Sequence, residues 1–565
     1  MNKVITLLFI SVLCIQCNTQ VNPDSVNKPH GVIAKKAMVV SARQEASKIG
    51  VDIMKQGGNA FDAMIATDLA LLVSYPVAGN IGGGGFMVFR MKDGTTGSLD
   101  FREKAPIEAT KDMYLDEDGN VNSDTSKLGA LAVGIPGTIA GLFEVHKKFG
   151  SLPFEKLIDP AIKLANNGVV VTKKQAESLN QNKQNFRKAN KRTILLDKDW
   201  EAGDTIKYPK LVETLKRIKT NGRDEFYKGK TADILVEQVQ KLGGIITKED
   251  LANYEAQWRD PITFMYKGHK IISMPPPSSG GICIAQILKS IAPYNIEQYA
   301  HNSTEYIQLI VEAERRAYAD RSYFLGDPDF VNIPTDSLMS EHYLSKRMAD
   351  FDWEKATQSS TLSRGSIPGY ESDETTHYSI VDPFGNSLAV TTTLNAAYGS
   401  KVYVENGGFF LNNEMDDFSA KPGEPNMYGL VGADANAIAP QKRMLSSMSP
   451  TIIEVNGQLK MVLGSPGGST IITSVMQNIL NVIEYDMSMQ ESVSKPRFHH
   501  QWFPDNIKFE TTFDTVVFNS LKKLGYAIDH TNSPIIGKVD AILVLPNGNL
   551  EGGADPRGDD TAVGF

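Results

Sequence analysis

The stretch Glu374-Thr375-Thr376-His377-Tyr378-Ser379-Ile380-Val381 marks an abrupt change of character about two-thirds of the way along the chain. Residues 363–373 before it are polar and contain glycine and proline, whereas residues 376–381 alternate as a strand does. Local pattern alone favours a surface loop that leads into an ordinary strand. The alternative is a cut before Thr375, which would leave a nucleophilic hydroxyl and a free α-amine base on one residue. The rest of the sequence has to distinguish these interpretations.

The composition is that of a globular protein of 565 residues, with 41% hydrophobic and 22% charged residues. The formal net charge is -8, from 58 basic and 66 acidic residues, and no run of five or more Lys or Arg is present. A nucleic-acid partner is therefore not expected. Two of the three cysteines lie within the first 17 residues. Cys283 therefore has no intramolecular disulfide partner and is expected to be a small buried apolar residue.

The N-terminal segment predicts export. The apolar run Val4–Ile15 is too short to cross a bilayer and has the size of a signal-peptide core. Cys17 and the polar residues after it resemble a bacterial lipoprotein, although Gln16 is not the small residue that a lipobox requires. We assign residues 1–17 to a signal peptide ending at a lipobox-like Cys17, and residues 18–30 to a flexible tether. The expected location is periplasmic or, through a lipid anchor, at the outer membrane; the alternative is secretion with Cys17 removed.

The order of helix-like and strand-like segments predicts a layered α+β fold. Residues 46–75 have a helical pattern with a break at Gly57-Gly58, and residues 170–260 are Lys-rich and mostly helical. The C-terminal third has strands separated by turns, with helices near 470–485 and 514–524. Because these segments do not alternate as regular βαβ units, a doubly wound parallel sheet is disfavoured.

A glycine-rich run, residues 79–90, leads into a predicted strand. It has neither a following Gly-Lys-Ser/Thr nor the spacing G-x-G-x-x-G, so nucleotide binding is not indicated. Close packing of its backbone against another element explains the glycines better.

A predicted hairpin returns the chain to Thr375. Residues 382–386, Asp-Pro-Phe-Gly-Asn, have the composition of a turn, and residues 387–394 form the second strand. If Asp382 pairs with Ser387, antiparallel counting brings Thr393-Leu394 alongside Thr375-Thr376. Strand propensity alone also explains these threonines, so the pairing does not by itself identify a site.

Three further segments carry polar chemistry. Residues 411–418 collect acids that could hold an ammonium group, and residues 445–450 offer adjacent hydroxyls. Residues 464–469 place consecutive glycines before a predicted helix, where backbone N–H groups can stabilise an oxyanion. Taken singly, such segments are more often solvent-facing loops or tight turns. No H-E-x-x-H, Cys/His ligand set or G-x-S-x-G is present, which argues against a zinc site and an α/β-hydrolase.

Together these motifs resemble γ-glutamyltranspeptidases over residues 30–565. The segments that carry the resemblance are Leu99–Glu103, Pro275–Gly281, Thr375–Ser379, Leu411–Ser419, Ser446–Thr451, Gly464–Gly468 and Asp555–Arg557. The resemblance implies a four-layer αββα sandwich of the N-terminal-nucleophile hydrolase type, built from two chains after self-cleavage between Glu374 and Thr375. Residues 31–374 would form the large subunit and residues 375–565 the small subunit, and the two would remain together as a heterodimer.

The resemblance also implies roles for individual residues. Thr375 would be the nucleophile, Thr393 would orient it, and Gly467 and Gly468 would form the oxyanion hole. The substrate-binding residues would be Arg102, Ser446 and Ser447 for a carboxylate, and Asn395, Glu414 and Asp417 for an ammonium group. Residues 416–443 resemble a lid that some members have, with Tyr428 as its closing residue, which favours small substrates over polymers.

The implied reaction breaks γ-glutamyl amides such as glutathione or glutamine-like amides, holds the acyl group as an ester on Thr375, and passes it to water, an amino acid or a peptide. No cofactor and no metal is implied. Two alternatives remain open at this point, a glutaryl or cephalosporin acylase of the same superfamily and a non-catalytic surface lipoprotein. The predicted ammonium-binding acids and the lid argue against the first. Thr375, Arg102 and the glycine pair argue against the second.

Overall fold

A computed structural model describes residues 30–362, 375–424, 426–427, 430–531 and 535–565. Its helices are α1 (Gln44–Lys55), α2 (Ala60–Ser74), α3 (Ser123–Lys127), α4 (Thr138–Phe149), α5 (Phe154–Asn167), α6 (Lys173–Asn190), α7 (Pro209–Asn221), α8 (Arg223–Tyr227), α9 (Lys230–Lys241), α10 (Lys248–Ala252), α11 (Gly280–Ile291), α12 (Thr304–Phe324), α13 (Thr335–Leu338), α14 (Glu341–Arg347), α15 (Thr470–Ile483), α16 (Met489–Ser494) and α17 (Val516–Lys523). Its strands are β1 (Val32–Ala34), β2 (Met38–Ser41), β3 (Gly84–Arg90), β4 (Thr96–Asp100), β5 (Val169–Val170), β6 (Thr205–Ile206), β7 (Gln257–Arg259), β8 (Ile262–Tyr266), β9 (His269–Ser273), β10 (Thr376–Val381), β11 (Ser387–Thr393), β12 (Tyr403–Val404), β13 (Phe409–Phe410), β14 (Thr451–Val455), β15 (Gln458–Gly464), β16 (Phe498–His499), β17 (Ile507–Phe509), β18 (Ile528–Asp529), β19 (Asp540–Val544), β20 (Leu550–Gly553) and β21 (Thr561–Gly564).

Several elements lie where the sequence predicts them. The helical pattern of residues 46–75 corresponds to α1 and α2, which are separated at the predicted glycine break. The Lys-rich segment, residues 170–260, contains α6 to α10, and the two helices predicted in the C-terminal third are α15 and α17. Hydrophobic periodicity was informative for helices such as α1, α9 and α17, because each of these buries one apolar face.

Two seven-stranded antiparallel sheets organise the molecule. Sheet I has the order β21-β2-β10-β11-β3-β4-β7, and sheet II has the order β1-β20-β19-β15-β14-β9-β8. Each sheet takes strands from both sides of residue 374. Hydrogen bonds between neighbouring strands would therefore hold two chains together after a cut at that position.

The two sheets are packed face to face between two layers of helices. Strand β10 shows the arrangement: Tyr378 and Ile380 enter the core shared with α1 and α2, whereas Val381 enters the core shared with sheet II. The Ser379 hydroxyl, on the same face as Val381, donates to the backbone oxygen of Asp540 in β19 at 3.0 Å. Sheet II in turn shares its core with α11, α12 and α15. The fold is thus the four-layer αββα sandwich that the resemblance implies, which is why every residue of β10 is buried.

Helix α2 lies beneath the hairpin that follows Thr375. Every residue of α2 is buried, and the Asn59 side chain caps its first turn. Within it, the Asp68 carboxylate accepts a hydrogen bond of 2.8 Å from the Tyr378 hydroxyl of β10. Burial raises the pKa of Asp68 to about 7, against which the hydrogen bond from Tyr378 acts only in part.

The turn between β10 and β11 is one residue tighter than predicted. The N–H of Asp382 donates to the oxygen of Asn386 at 3.0 Å, and the Asp382 carboxylate accepts N–H groups from Phe384 and Asn386. Gly385 has a φ of 91°, which glycine adopts readily. The predicted pairing of Asp382 with Ser387 is therefore wrong, and Ser387 pairs with Val381 instead. The reason is that the Asp382 carboxylate binds N–H groups within the turn and so makes it one residue shorter.

The glycine-rich run packs against the end of β11. A Cβ atom on Gly83 would lie 2.1 Å from the backbone oxygen of Thr393. The Asn80 side chain joins the same backbone, accepting from the Gly83 N–H at 2.7 Å and donating to the Thr393 oxygen at 2.8 Å. The prediction of close backbone packing is confirmed, and the glycines bring this run against Thr393.

Cys283 is fully buried in α11, as predicted for a small apolar side chain. Within the residues that the structure describes, no helix combines the length and the apolar character needed to cross a membrane. The predicted signal peptide and most of the predicted tether lie outside the described residues.

Candidate active site

One pocket brings together most of the residues predicted for the site. The predicted residues that line it are Arg102, Thr375, Thr393, Asn395, Glu414, Asp417, Ser446, Ser447 and Gly468. Four further residues, Arg321, Leu430, Met448 and Ile471, complete its lining. The segments that contribute these side chains lie far apart in the sequence, so the pocket exists only in the folded chain.

Strand pairing places the two candidate catalytic threonines next to each other. Thr376 pairs with Thr392, so Thr375 stands level with Thr393 at the open end of the hairpin. The two Oγ1 atoms are 3.4 Å apart, and Thr393 Oγ1 also accepts the N–H of Asn395 at 2.7 Å. Either hydroxyl can be the donor in this pair, because the Thr393 Oγ1 atom that accepts the Asn395 N–H can still accept a second hydrogen bond.

Asn395 occupies a conformation that is uncommon for residues other than glycine. Its φ is 71°, in the left-handed region. Its side-chain amide donates to the oxygen of Asn413 at 3.1 Å and contacts the sulfur of Met427 at 3.7 Å. Such backbone strain persists only where the surroundings impose it, and it is concentrated at functional sites.

Arg102 lies between the predicted ammonium-binding acids. One guanidinium nitrogen is 2.6 Å from Glu414 Oε2, and another is ion-paired with Asp417 Oδ2. Arg102 is 1% exposed, and burial alone would lower its pKa. The carboxylates of Glu414 and Asp417 outweigh burial and raise the pKa of Arg102 above its usual value. The arginine therefore remains charged.

A third acid, Glu103, belongs to this cluster and was not predicted. It is fully buried, and its carboxylate lies 3.7 Å from Arg102. Burial raises the pKa of Glu103 to about 8, and it also raises the pKa values of Glu414 and Asp417. Three carboxyl groups around one arginine do not all ionise at neutral pH, because each negative charge disfavours the next. The sequence signals for Glu103 were its position directly after Arg102 and its place in the segment Leu99–Glu103, which carries part of the family resemblance.

The predicted oxyanion hole has the backbone geometry that only glycine allows readily. Gly467 has a φ of 133° and Gly468 a φ of 52°. A Cβ atom on Gly467 would lie 2.5 Å from Thr470 Oγ1. Within the described part of the chain, neither glycine N–H donates to an acceptor, and α15 begins just beyond them at Thr470. Two free N–H groups beside a helix N-terminus provide a suitable environment for developing negative charge. Gly468 lines the pocket, whereas Gly467, the residue before it in the chain, is not among the lining residues.

The segment predicted to be a lid reaches the pocket in its described part. Leu430 lines the pocket, and the N–H of Met427 donates to Asp416 Oδ2 at 2.9 Å. The other oxygen of Asp416 accepts the hydroxyl of Ser126. Burial raises the pKa of Asp416 to about 6. Tyr428, predicted to close the lid, and Glu374, predicted to precede the cut, lie outside the described residues.

Arg321 was also missed by sequence reasoning. It belongs to α12, in which all residues from Tyr306 to Arg321 are buried. The sequence signal that could have revealed it is the number of charged residues within this helix. Glu312, Glu314 and Arg315 are all buried, and charged side chains are rarely buried without partners. Among the described residues, no group of His, Cys, Asp and Glu side chains is arranged to hold a metal ion.

Comparison with known proteins assigns this site to a family. Residues 46–565 match the model of the family described as Gamma-glutamyltranspeptidase. The chain belongs to the γ-glutamyltranspeptidase family. It is therefore an enzyme, with the N-terminal-nucleophile hydrolase fold.

Individual relatives agree with this assignment. The chain is 46% identical over 547 residues to the glutathione hydrolase proenzyme of Escherichia coli strain K12, which covers 95% of this chain and 93% of that protein. It is similar to the crystal structure of Helicobacter pylori γ-glutamyltranspeptidase, at 42% identity and a TM-score of 0.56 over 60% of this chain and 97% of that one. A cephalosporin acylase from Bacillus halodurans shares the fold, with a TM-score of 0.85 and 24% identity over 98% of this chain and 99% of that chain.

Proposed function

We propose that this member of the γ-glutamyltranspeptidase family cleaves small γ-glutamyl amides, glutathione among them, through a γ-glutamyl ester on Thr375. One observation carries the proposal: a single pocket combines the Thr375 hydroxyl with a buried arginine and two acids, Glu414, which is buried, and Asp417, which is 11% exposed. A γ-glutamyl group has a carboxylate and an ammonium group on its α-carbon, so it needs both signs of charge beside the nucleophile. The name of the Escherichia coli relative supports glutathione as one donor.

Activation would begin with a cut in the precursor between Glu374 and Thr375. The Thr375 hydroxyl attacks the carbonyl carbon of Glu374, the C–N bond breaks, and Glu374 is held as an ester on Thr375 Oγ1. Water then opens the ester, which leaves a carboxylate on Glu374 and a free α-amine on Thr375. The family's members named as proenzymes support such a processing step.

The catalytic cycle would use the new amine as its base. An α-amine has a pKa of about 8, so part of it is neutral near neutral pH and can take the Thr375 proton. Thr375 Oγ1 attacks the γ-carbonyl, the N–H groups of Gly467 and Gly468 stabilise the oxyanion, and the proton passes to the leaving amine. Water, an amino acid or a peptide then accepts the γ-glutamyl group from the ester and restores the hydroxyl.

Substrate binding would exchange ion pairs rather than create isolated charges. Before binding, Arg102 is ion-paired with Glu414 and Asp417. The substrate carboxylate would bind to Arg102 and to the hydroxyls of Ser446 and Ser447. The substrate ammonium group would bind to Glu414 and Asp417 in place of Arg102, and also to Asn395. The zwitterion replaces each lost contact by another of the same kind, so the buried charges stay compensated.

Two anilides that differ in one group test the proposal. γ-Glutamyl p-nitroanilide carries the α-ammonium group, and glutaryl p-nitroanilide lacks it. We expect release of p-nitroaniline from the first at a kcat/KM at least about 100-fold higher, because each unpaired buried acid disfavours the second. Preference for the glutaryl compound would instead identify a glutaryl or cephalosporin acylase. Absence of turnover with both compounds would contradict the proposed reaction.

We also propose that the enzyme is exported and anchored through a lipid on Cys17. The support is the sequence pattern of residues 1–30 described above. Intact-mass measurement of protein extracted from cell membranes tests it. A mature N-terminus at Cys17 with the added mass of acyl chains is expected, and a start beyond Cys17 in the culture or periplasmic fraction would contradict the anchor.

A further inference from the structure

Arg321 is a buried cation whose place in the pocket none of the predicted roles uses. It lies near the C-terminal end of α12, is 5% exposed, and lines the pocket beside Ser447. Its guanidinium contacts two hydroxyl groups, with Nε 2.9 Å from Ser279 Oγ and Nη2 3.2 Å from Ser447 Oγ.

The two arginines of the pocket differ in their counterions. Arg102 is ion-paired with Glu414 and with Asp417. Arg321 makes its polar contacts with hydroxyls, and no carboxylate in the described part of the chain forms an ion pair with it. Burial lowers the pKa of Arg321 and outweighs the opposing influence of Cys283, Tyr318 and Asp417. A buried cation without a counterion is costly, so this end of the pocket is prepared for an anionic group.

The contact with Arg321 also determines the direction of the Ser447 hydroxyl. A guanidinium can only donate hydrogen bonds, so Ser447 Oγ must act as the acceptor. The hydrogen of the Ser447 hydroxyl is then available to a group in the pocket. Ser446 is arranged in the same way, because its Oγ accepts the N–H of Met448 at 3.1 Å. Two neighbouring hydroxyls that both present hydrogens match the two oxygens of a carboxylate.

Ser279 ties the arginine to the backbone of this serine pair. Its Oγ accepts from Arg321 Nε and donates to the backbone oxygen of Ser446 at 2.7 Å. The N–H of Ser279 donates to the same oxygen at 2.8 Å. The guanidinium and the two hydroxyls therefore keep their relative positions.

We propose that Arg321 is a positioning residue for the α-carboxylate of the substrate. It acts through Ser447, whose hydroxyl it turns into a donor, and it supplies a second positive charge to the carboxylate end of the pocket. This inference rests on the proposed γ-glutamyl specificity. It predicts that Arg321 matters for substrates with an α-carboxylate and hardly at all for those without one.

A substrate pair that differs in the carboxylate tests the proposal. The probes are γ-glutamyl p-nitroanilide and 4-aminobutanoyl p-nitroanilide, which keeps the ammonium group and lacks the carboxylate. In processed Arg321→Met, we expect KM for the first to rise about tenfold or more, with kcat changing less. The kcat/KM for the second should change by less than about twofold. In the double variant Arg321→Met/Ser447→Ala, KM for γ-glutamyl p-nitroanilide should rise by less than the product of the two single-variant increases, because the two residues act as one unit.

Arg316→Met is the matched control on the same helix. Arg316 is also buried, but it is ion-paired with Glu312 and Asp350 rather than directed at the pocket. We expect this variant to melt at a lower temperature and to keep the wild-type ratio of kcat/KM values for the two anilides. If Arg321→Met does not process, Arg321→Lys is measured in its place, with an intermediate rise in KM expected.

Binding of L-glutamate, measured by calorimetry, separates this inference from the proposed function. Glutamate carries the α-carboxylate and needs no turnover. About tenfold weaker glutamate binding by the Arg321 variant supports the role of Arg321 even if neither anilide is a substrate. The inference would be overturned if a folded Arg321 variant bound glutamate as wild type does and kept the wild-type ratio of kcat/KM values for the two anilides. The proposed function would still hold in that case, provided that the wild-type enzyme turns over γ-glutamyl p-nitroanilide.

Discussion

Thr375 Oγ1 lies 3.4 Å from Thr393 Oγ1, across the open end of the hairpin formed by β10 and β11. Three independent features maintain this relationship: the tight turn at residues 382–386, the hydrogen bond from the Asn395 N–H to Thr393, and the glycine-rich run packed behind Thr393. The distance exceeds that of a usual O–H···O hydrogen bond, and catalytic hydrogen bonds are often this loose before a substrate is bound.

Replacing Thr393 by valine tests this relationship directly. Valine keeps the shape and the strand propensity of threonine and removes only the hydroxyl. We expect kcat for γ-glutamyl p-nitroanilide to fall about 10- to 100-fold with little change in KM, because the hydroxyl orients the nucleophile rather than binding substrate. Thr391→Val, in the same strand, is the control and should retain kcat within about threefold. An unchanged kcat in Thr393→Val would exclude the orienting role.

Thr375→Ala should give an uncut and inactive precursor. The variant lacks the hydroxyl that both processing and turnover require, so we expect activity to fall by about 1,000-fold or more. Denaturing electrophoresis of the purified protein would show one full-length band. Thr375→Ser keeps a hydroxyl and should cut, though more slowly, because serine is less restricted about χ1. Normal cutting of the alanine variant would contradict self-processing by Thr375.

Arg102→Ala should cut normally and bind donors poorly. The substitution removes the cation between Glu414 and Asp417, so we expect KM for γ-glutamyl p-nitroanilide to rise about 100-fold. Arg102→Lys keeps the positive charge but lacks the two parallel N–H donors of the guanidinium. Its KM should therefore lie between those of the wild type and the alanine variant. Steady-state kinetics on fully processed protein is the measurement. A KM within about threefold of wild type in the alanine variant would remove Arg102 from the substrate-binding residues.

Gly467→Ala should impair the chemical step. The added Cβ would meet Thr470 Oγ1 at 2.5 Å, and the φ of 133° is unfavourable for alanine, so the loop and its N–H groups must shift. We expect kcat to fall about 100-fold, the size typical for the loss of one oxyanion donor. Gly457→Ala is a control in a surface turn, where nothing lies within 4 Å of the new Cβ. Its left-handed φ of 73° should lower the melting temperature without changing kcat.

Asp68 should make the folded state less stable as the pH rises. Its folded pKa is about 7, against 3.8 for an unperturbed aspartate, so between these pH values the folded protein holds a proton that the unfolded chain has released. Stability from this group is present at low pH and is lost as the pH rises through about 7. Asp68→Asn can still accept from Tyr378 and should melt roughly 2–4 °C above wild type at pH 8, with little difference at pH 5. Parallel melting curves at both pH values would contradict the raised pKa.

The sequence alone identified the chemistry because that chemistry depends on residue type and local spacing. A threonine that begins a strand, a glycine pair before a helix, adjacent serines and an acid-rich segment are each visible within a few residues. Together they resemble one family, and that resemblance implied the four-layer fold, whereas the pattern of helices and strands alone predicted only a layered α+β fold. The prediction for the Asp382 turn was wrong by one residue, because a side chain rather than the backbone pattern decided where the strand ends.

Tertiary structure alone decided how charges are distributed in the site. Nothing in the sequence places Arg321 beside Ser447, since 126 positions separate them. The ion pairs of Arg102 with Glu414 and Asp417, and the burial of Glu103, likewise depend on packing between distant segments. Distances and desolvation determine which groups ionise and which way a hydroxyl points, and both arise only when the two sheets and their helices close around the pocket.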